Sequence, residues 1–261
     1  MSPTEPTLWQ IEISHFSEKG RWALDYKQVV HRRRSPLPGT HIPIAFWLTR
    51  GAQKTFPVLQ LDGRTVGDST AVIAAIEERY PEPPLYPADP EQRRRALELE
   101  DFFDEELGPY MRLLAFYELI NEPEMFAEIA SASVPSPLGR AKGFVGAYAR
   151  TYASLRFGAN NSDAAVAARV KIATAMDRLD AELAASGGEY LVGESFSVAD
   201  LTAASLFYPL VGPPEGPVSP DSPTPPAMES FRDGLRDRPG YLWVEEMFRR
   251  HRRPTRSAPA G

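Results

Sequence analysis

The segment Pro81-Glu82-Pro83-Pro84-Leu85-Tyr86-Pro87-Ala88-Asp89-Pro90 constrains this chain most. Each proline fixes its own φ and lacks a backbone donor, so neither a regular helix nor an inner strand can run through it. The chain must change character here. Short strand signals lie before the segment, and only helical signals follow it. Strands followed by a run of helices suggest two structural parts. The expected boundaries are 1–82 for an α/β part, 83–92 for a linker and 93–261 for an all-helical part.

In the first part, Leu8, Ile11 and Ile13 lie in a β-prone run that begins at Thr7. Glu18 to Tyr26 reads as a helix, with Trp22, Ala23 and Tyr26 at helical spacing. His31 to Ser35 is an edge strand at best, because of its arginines. Residues 36 to 54 give no clear signal. Val58 to Leu61 and Thr65 to Gly67 suit a hairpin around Asp62-Gly63. Ser69 to Tyr80 is a helix striped by Val72, Ile73, Ile76 and Tyr80.

Two features of this part suggest binding. Pro57 opens a strand and is a candidate cis residue, which leaves the backbone of Phe56 free to pair with something else. The Asp68-Ser69 pair opens a helix, where a hydroxyl and unpaired amides suit a carboxylate. Together they form two halves of a peptide-binding cleft.

Beyond the linker, Glu91 to Leu107 is charged and helical, with Leu97, Phe102 and Phe103 among its apolar positions. Ala164 to Ala185 carries a stripe of Val166, Val170, Ala173, Met176, Leu179 and Leu183. Ser197 and Asp200 form a capping box, with Phe196 and Leu201 placed as a hydrophobic staple. That device is structural. Pro209 to Pro226 is an irregular loop. A last short helix carries Trp243 and Phe248.

Composition removes several chemistries. The chain has no cysteine, so a disulfide oxidoreductase, a cysteine nucleophile and a thiolate metal site are excluded. Any thiol would come with a ligand. A net charge of −6 gives no reason to expect a nucleic-acid partner. Arg249-Arg250-His251-Arg252-Arg253 reads as a solvated basic tail. His15, His31, His41 and His251 are dispersed and no His-Glu-x-x-His occurs, so no metal site is expected. No apolar run approaches the roughly 18 residues needed to span a bilayer. With no signal-peptide pattern either, a cytoplasmic protein is expected.

These pieces, in this order, resemble a cytosolic glutathione S-transferase over nearly the whole chain. The resemblance rests on the strand with Phe56-Pro57, the Asp68-Ser69 pair and the Phe196 to Leu201 box. It implies a thioredoxin-like α/β N-terminal domain followed by an all-α C-terminal domain. It also implies a homodimer, and glutathione as co-substrate with no further cofactor. In the family the catalytic residue follows the first strand. Here that loop is Ser14-His15-Phe16-Ser17-Glu18-Lys19-Gly20-Arg21. By this match Ser14 stands in the catalytic position and Ser17 in the second. No tyrosine precedes Tyr26, so a serine-type member of bacterial origin is implied.

The resemblance assigns the other roles as well. Ser14 would donate to the thiol sulfur and favour the thiolate, with the positive end of the following helix acting in the same direction. Asp68 and Ser69 would hold the γ-glutamyl end. Phe56, before Pro57, would pair its backbone with the cysteinyl part, and Lys54 would reach the glycyl carboxylate. His15 and Gly20 depart from the family pattern, which has proline and valine there. A small hydrophobic second substrate would lie between the domains, against Phe16, Tyr110, Met111, Leu114, Phe207 and Tyr208. The function implied is detoxifying attack of the activated thiol on an electrophile.

Bland alternatives stand beside these roles. Ser14, Ser17 and Ser69 also suit plain helix caps. The fold can serve as a non-catalytic binding module. Gly67-Asp68-Ser69-Thr70-Ala71 resembles a hydrolase nucleophile elbow, but the only histidine after His41 is His251.

Overall fold

In the computed structural model, residues 5–36, 39–132, 142–218 and 222–253 are described. The N-terminal part holds a four-stranded sheet: β1 (Thr7–Trp9), β2 (Arg32–Arg34), β3 (Val58–Leu61) and β4 (Arg64–Gly67), in the order β2-β1-β3-β4. β1 and β2 are parallel, and the other two pairings are antiparallel. The parallel pair requires a crossover, which is α1 (His15–Tyr26). α2 (His41–Leu48) occupies the stretch that gave no clear signal, and α3 (Ser69–Arg79) follows β4.

The β3–β4 hairpin turns through Asp62 at φ 47° and Gly63 at φ 78°. Two positive φ values suit a tight hairpin turn, which is why Asp-Gly stands there. β1 ends at Trp9, earlier than its β-prone pattern suggests, and Ile13 is exposed. Residues 10–14 leave the sheet to form the loop before α1.

Helices α4 (Pro90–Glu106), α5 (Gly108–Asn121), α6 (Pro123–Ala132), α7 (Lys142–Phe157), α8 (Ser162–Ser186), α9 (Val198–Val211), α10 (Pro226–Asp233) and α11 (Pro239–His251) form the C-terminal part. α9 is the central helix, packed against α1, α4, α5 and α11. Asp200 accepts from the backbone N–H and the hydroxyl of Ser197, and from the N–H of Leu191. Burial raises its carboxyl to about 6.

One apolar core runs through both parts. It includes Leu8, Trp22, Ile73, Leu85, Phe103, Phe207 and Phe248. Leu85 belongs to the proline-rich linker, yet it is fully buried and its carbonyl accepts from Val198 N–H. The linker is therefore a packed strap.

Three expectations need correction. The stripe on α8 is rotated: Val166 and Val170 are exposed, while Ala165, Ala168, Ile172, Ala175, Met176, Leu179 and Leu183 are buried. Alanine lets neighbouring helices approach closely, so it can mark a buried face as well as valine does. α9 continues through Pro209 to Val211, so the loop begins later than expected. The remainder of that loop is described except for residues 219–221.

The basic C-terminal run is also not simply solvated. Arg252 is buried, paired with Glu18 and, at 2.6 Å, with Asp25 on α1. His251 stacks on Phe196 at 4.4 Å, and its carbonyl accepts from the Trp22 indole.

Candidate active site

A cavity of about 940 Å³ lies between the two parts. Its walls come from the β1–α1 loop, the chain before β3, the start of α3, α4 and the facing sides of α5, α6 and α7. Ser14, Phe16, Phe56, Pro57, Asp68 and Ser69 all line it. Positions far apart in sequence therefore meet at one surface.

Ser14 is the N-cap of α1, and its Oγ accepts from Ser17 N–H at 3.3 Å. Its own hydroxyl proton has no acceptor among the described residues. The loop is held from several sides. Arg21, almost fully buried, donates to Gln10 Oε1 at 2.9 Å and to the Glu12 carbonyl at 2.8 Å. Ser14 N–H donates to the Ile11 carbonyl at 3.0 Å. The Tyr208 hydroxyl donates to the Ile13 carbonyl.

Ser17 has a different position. It is buried, does not line the cavity, and its Oγ accepts from Ile11 N–H at 3.2 Å. In that geometry it clamps the loop.

His15 follows Ser14 and is buried, with Nε2 3.0 Å from the Gly108 carbonyl. Burial lowers its pKa to about 3, helped by the Arg112 charge, so the ring is neutral and Nε2–H donates. That bond joins α1 to α5. A Cβ on Gly108 would sit 2.5 Å from the Phe16 ring, so glycine is required for this close approach.

The Phe56–Pro57 bond is cis, as the sequence suggested. Phe56 lies before the paired part of β3, and its N–H and C=O bond to no described residue. Asp68 holds φ at 78°, and its Oδ1 accepts from Thr70 N–H and Ala71 N–H. These bonds leave Ser69 with its N–H and hydroxyl unspent among the described residues.

Behind Ser69 lies a buried charge cluster. Lys19 Nζ sits 2.6 Å from Asp104 Oδ2 and 3.3 Å from Glu100 Oε1. One ammonium serves two carboxylates there. Asp104 Oδ1 and Glu100 Oε2 have no partner among the described residues, and burial raises the Glu100 pKa. Asp101, Asp104 and Glu105 line this end of the cavity. It thus offers hydrogen-bond donors for a carboxylate beside an acid able to accept an ammonium.

The opposite wall is not where the sequence placed it. Met111, Leu114 and Phe207 are fully buried in the core, and Tyr208 is buried with its hydroxyl on Ile13. Tyr110 does not line the cavity, and Lys171 sits over its ring. The cavity face of α5 is Arg112, Ala115, Phe116 and Leu119. α6 and α7 add Phe126, Ile129, Tyr148, Tyr152, Arg156 and Phe157, and Pro209 is the contribution of α9. Lys54 is exposed and is not among the lining residues. A signal for the missed wall does exist: Arg112 interrupts the apolar run from Tyr110 to Phe116.

A thioredoxin-like sheet facing a helical domain across such a cleft is the architecture of the glutathione transferase fold. Comparison with known proteins agrees. Residues 8–84 match the glutathione S-transferase N-terminal domain, and residues 135–239 match the glutathione S-transferase C-terminal domain. The chain is 24% identical over 209 residues to a probable maleylacetoacetate isomerase of Caenorhabditis elegans, covering 80% of each chain.

It is 31% identical to the maleylacetoacetate isomerase of Rattus norvegicus over 77 residues, which are 30% of this chain and 36% of that protein. Among solved structures, the β-etherase LigF of Sphingobium sp. strain SYK-6 superposes with a TM-score of 0.60 at 18% identity, covering 93% of this chain and 99% of that one. The chain belongs to the glutathione S-transferase family and is a glutathione transferase-like enzyme.

Proposed function

We propose that the protein binds glutathione at the end of the cavity formed by Ser14, Phe56 and Ser69, and activates its thiol for attack on a small electrophile. The observation that carries this reading is the unspent Ser14 hydroxyl, held at the N-terminus of α1 on the cavity wall. A free thiol is mostly protonated at neutral pH. A donor hydroxyl and the positive helix end both favour the thiolate. The remaining tripeptide groups have counterparts. Ser69 N–H and Oγ suit the γ-glutamyl carboxylate, Asp104 suits its ammonium, and the Phe56 backbone suits the cysteinyl peptide unit.

The acceptor stands against the α5–α7 wall. A reversible addition satisfies the chemistry: the thiolate sulfur bonds to one alkene carbon, the displaced π pair passes to a conjugated carbonyl oxygen of the substrate, the now single bond rotates, and return of that pair re-forms the double bond as the thiolate leaves. The names of the two curated relatives support such an isomerisation as one outcome, with conjugate addition as the other.

The test is the pKa of the bound thiol, read from thiolate ultraviolet absorbance. A hydrogen bond to a charged group contributes about 1.5–3 kcal/mol, so Ser14→Ala should raise this pKa by about one to two units. Glutathione affinity should change little. A folded variant with an unaltered thiol pKa would remove Ser14 from the mechanism.

A further inference from the structure

The acceptor half of the cavity holds two cations with no anion assigned to them. Arg112 is half-buried, with its guanidinium carbon 5.5 Å from the Phe16 ring centre and 4.9 Å from that of Phe157. Arg156 lies 5.4 Å from the same Phe157 ring. Neither makes an ion pair or hydrogen bond among the described residues. Residues 133–141, between α6 and α7, contain no aspartate or glutamate.

Arg112 is half-buried and Arg156 is exposed at the rim of the cavity, and the contrast with the buried cations is sharp. Lys19, Arg21, Lys27 and Arg252 are each paired with a carboxylate. Burial depresses the Arg112 pKa, and the nearby Arg156 charge depresses it further. His41, bonded at Nε2 to the Tyr152 hydroxyl at 3.0 Å, is likewise held neutral by burial and by Arg156. Two like charges turned towards one cavity are an unbalanced arrangement, and an anion entering from solvent would balance it. The cation–ring contacts with Phe16 and Phe157 hold both guanidinium groups at the cavity wall.

We infer that the second substrate carries a carboxylate, bound by Arg112 and Arg156, on an aromatic or conjugated body that packs against Phe116, Phe126 and Phe157. This deepens the reading of the site as a glutathione-dependent one and rests on it. It also differs from an all-apolar acceptor wall, against which the half-buried, unpaired Arg112 would be a pure cost.

The test is a matched pair of unreactive probes, 4-oxo-4-phenylbutanoate and its methyl ester, titrated calorimetrically into the full-length protein with and without glutathione. The acid should bind about tenfold or more tightly than the ester, the scale of one charge-assisted pairing. Arg112→Met and Arg156→Met should each remove most of that preference, and Arg112→Lys should retain part of it. Glutathione affinity should hold within about twofold in all three variants, which also reports correct folding.

Equal binding of acid and ester, or no binding of either, would overturn the inference. So would loss of glutathione affinity in the arginine variants, because the pair would then serve the tripeptide's own carboxylate. Failure of glutathione to bind the parent protein would instead remove the thiol reading, and the titration without glutathione would still decide the arginine pair.

Discussion

The hydroxyl of Tyr208, on the central helix α9, donates to the carbonyl of Ile13, the residue immediately before Ser14. The contact joins positions 195 residues apart. Burial raises the Tyr208 pKa, so the phenol stays a donor at working pH. Tyr208→Phe would remove this half-buried hydrogen bond and cost about 0.5–1.5 kcal/mol. It should also lower kcat by about tenfold through misplacement of the Ser14 loop, with little change in KM for glutathione. Steady-state kinetics with a thermal melt separate the two effects. A lowered melting temperature with unchanged kcat would make the contact purely structural.

Asp104 is expected to read the amino end of the tripeptide. Asp104→Asn should weaken glutathione binding by about tenfold. The same variant should bind an analogue lacking the α-amino group as well as the parent does. Equal weakening for both ligands would mean that the substitution acts through Lys19 and the α1–α4 contact.

His15 sets a pH dependence of stability. Its pKa falls from about 6.5 in the unfolded chain to about 3 in the folded protein. The folded state therefore binds fewer protons than the unfolded state between these values. The associated stability is complete above pH 6.5 and declines as pH falls. His251, lowered to about 4, acts in the same direction, while Asp200, raised to about 6, opposes both. The melting temperature should drop between pH 7 and pH 5, and His15→Gln should make that drop shallower. An identical slope in the variant would refute the assignment.

Arg252 tests whether the C-terminal helix is anchored by charge. Arg252→Met would leave two buried carboxylates with one cation fewer, a loss of about 3 kcal/mol or more in chemical denaturation. Arg249 pairs only at the surface, with Glu246, and Arg249→Met should cost less than about 1 kcal/mol. Similar losses in the two variants would contradict the burial of Arg252.

The meeting of Ser14, Phe56, Asp68 and Ser69 at one end of the cavity was legible because the signals are local. A proline before a strand and an acid-serine pair opening a helix each announce themselves within a few residues. The opposite wall of the cavity was less legible, because α5 is apolar on more than one face. Met111 and Leu114 share a helical stripe, as do Arg112, Ala115, Phe116 and Leu119, and periodicity alone gives no phase between them. Val166 and Val170 misled for a related reason: their hydrophobicity outweighed the small, closely packed alanines beside them. The Tyr208–Ile13 contact and the burial of Arg252 are tertiary facts, which no sequence window contains.

The strap that carries Leu85 into the shared core has a mechanical meaning. The two halves are not beads on a string, able to swing and trap a ligand by closing on it. With the linker's own side chain serving as core, separation of the halves would require partial unfolding. The cleft thus behaves as a fixed socket. On the proposed reading its selectivity is written in the side chains of α5–α7, which can be exchanged one at a time while the end lined by Ser14, Phe56 and Ser69 stays in register.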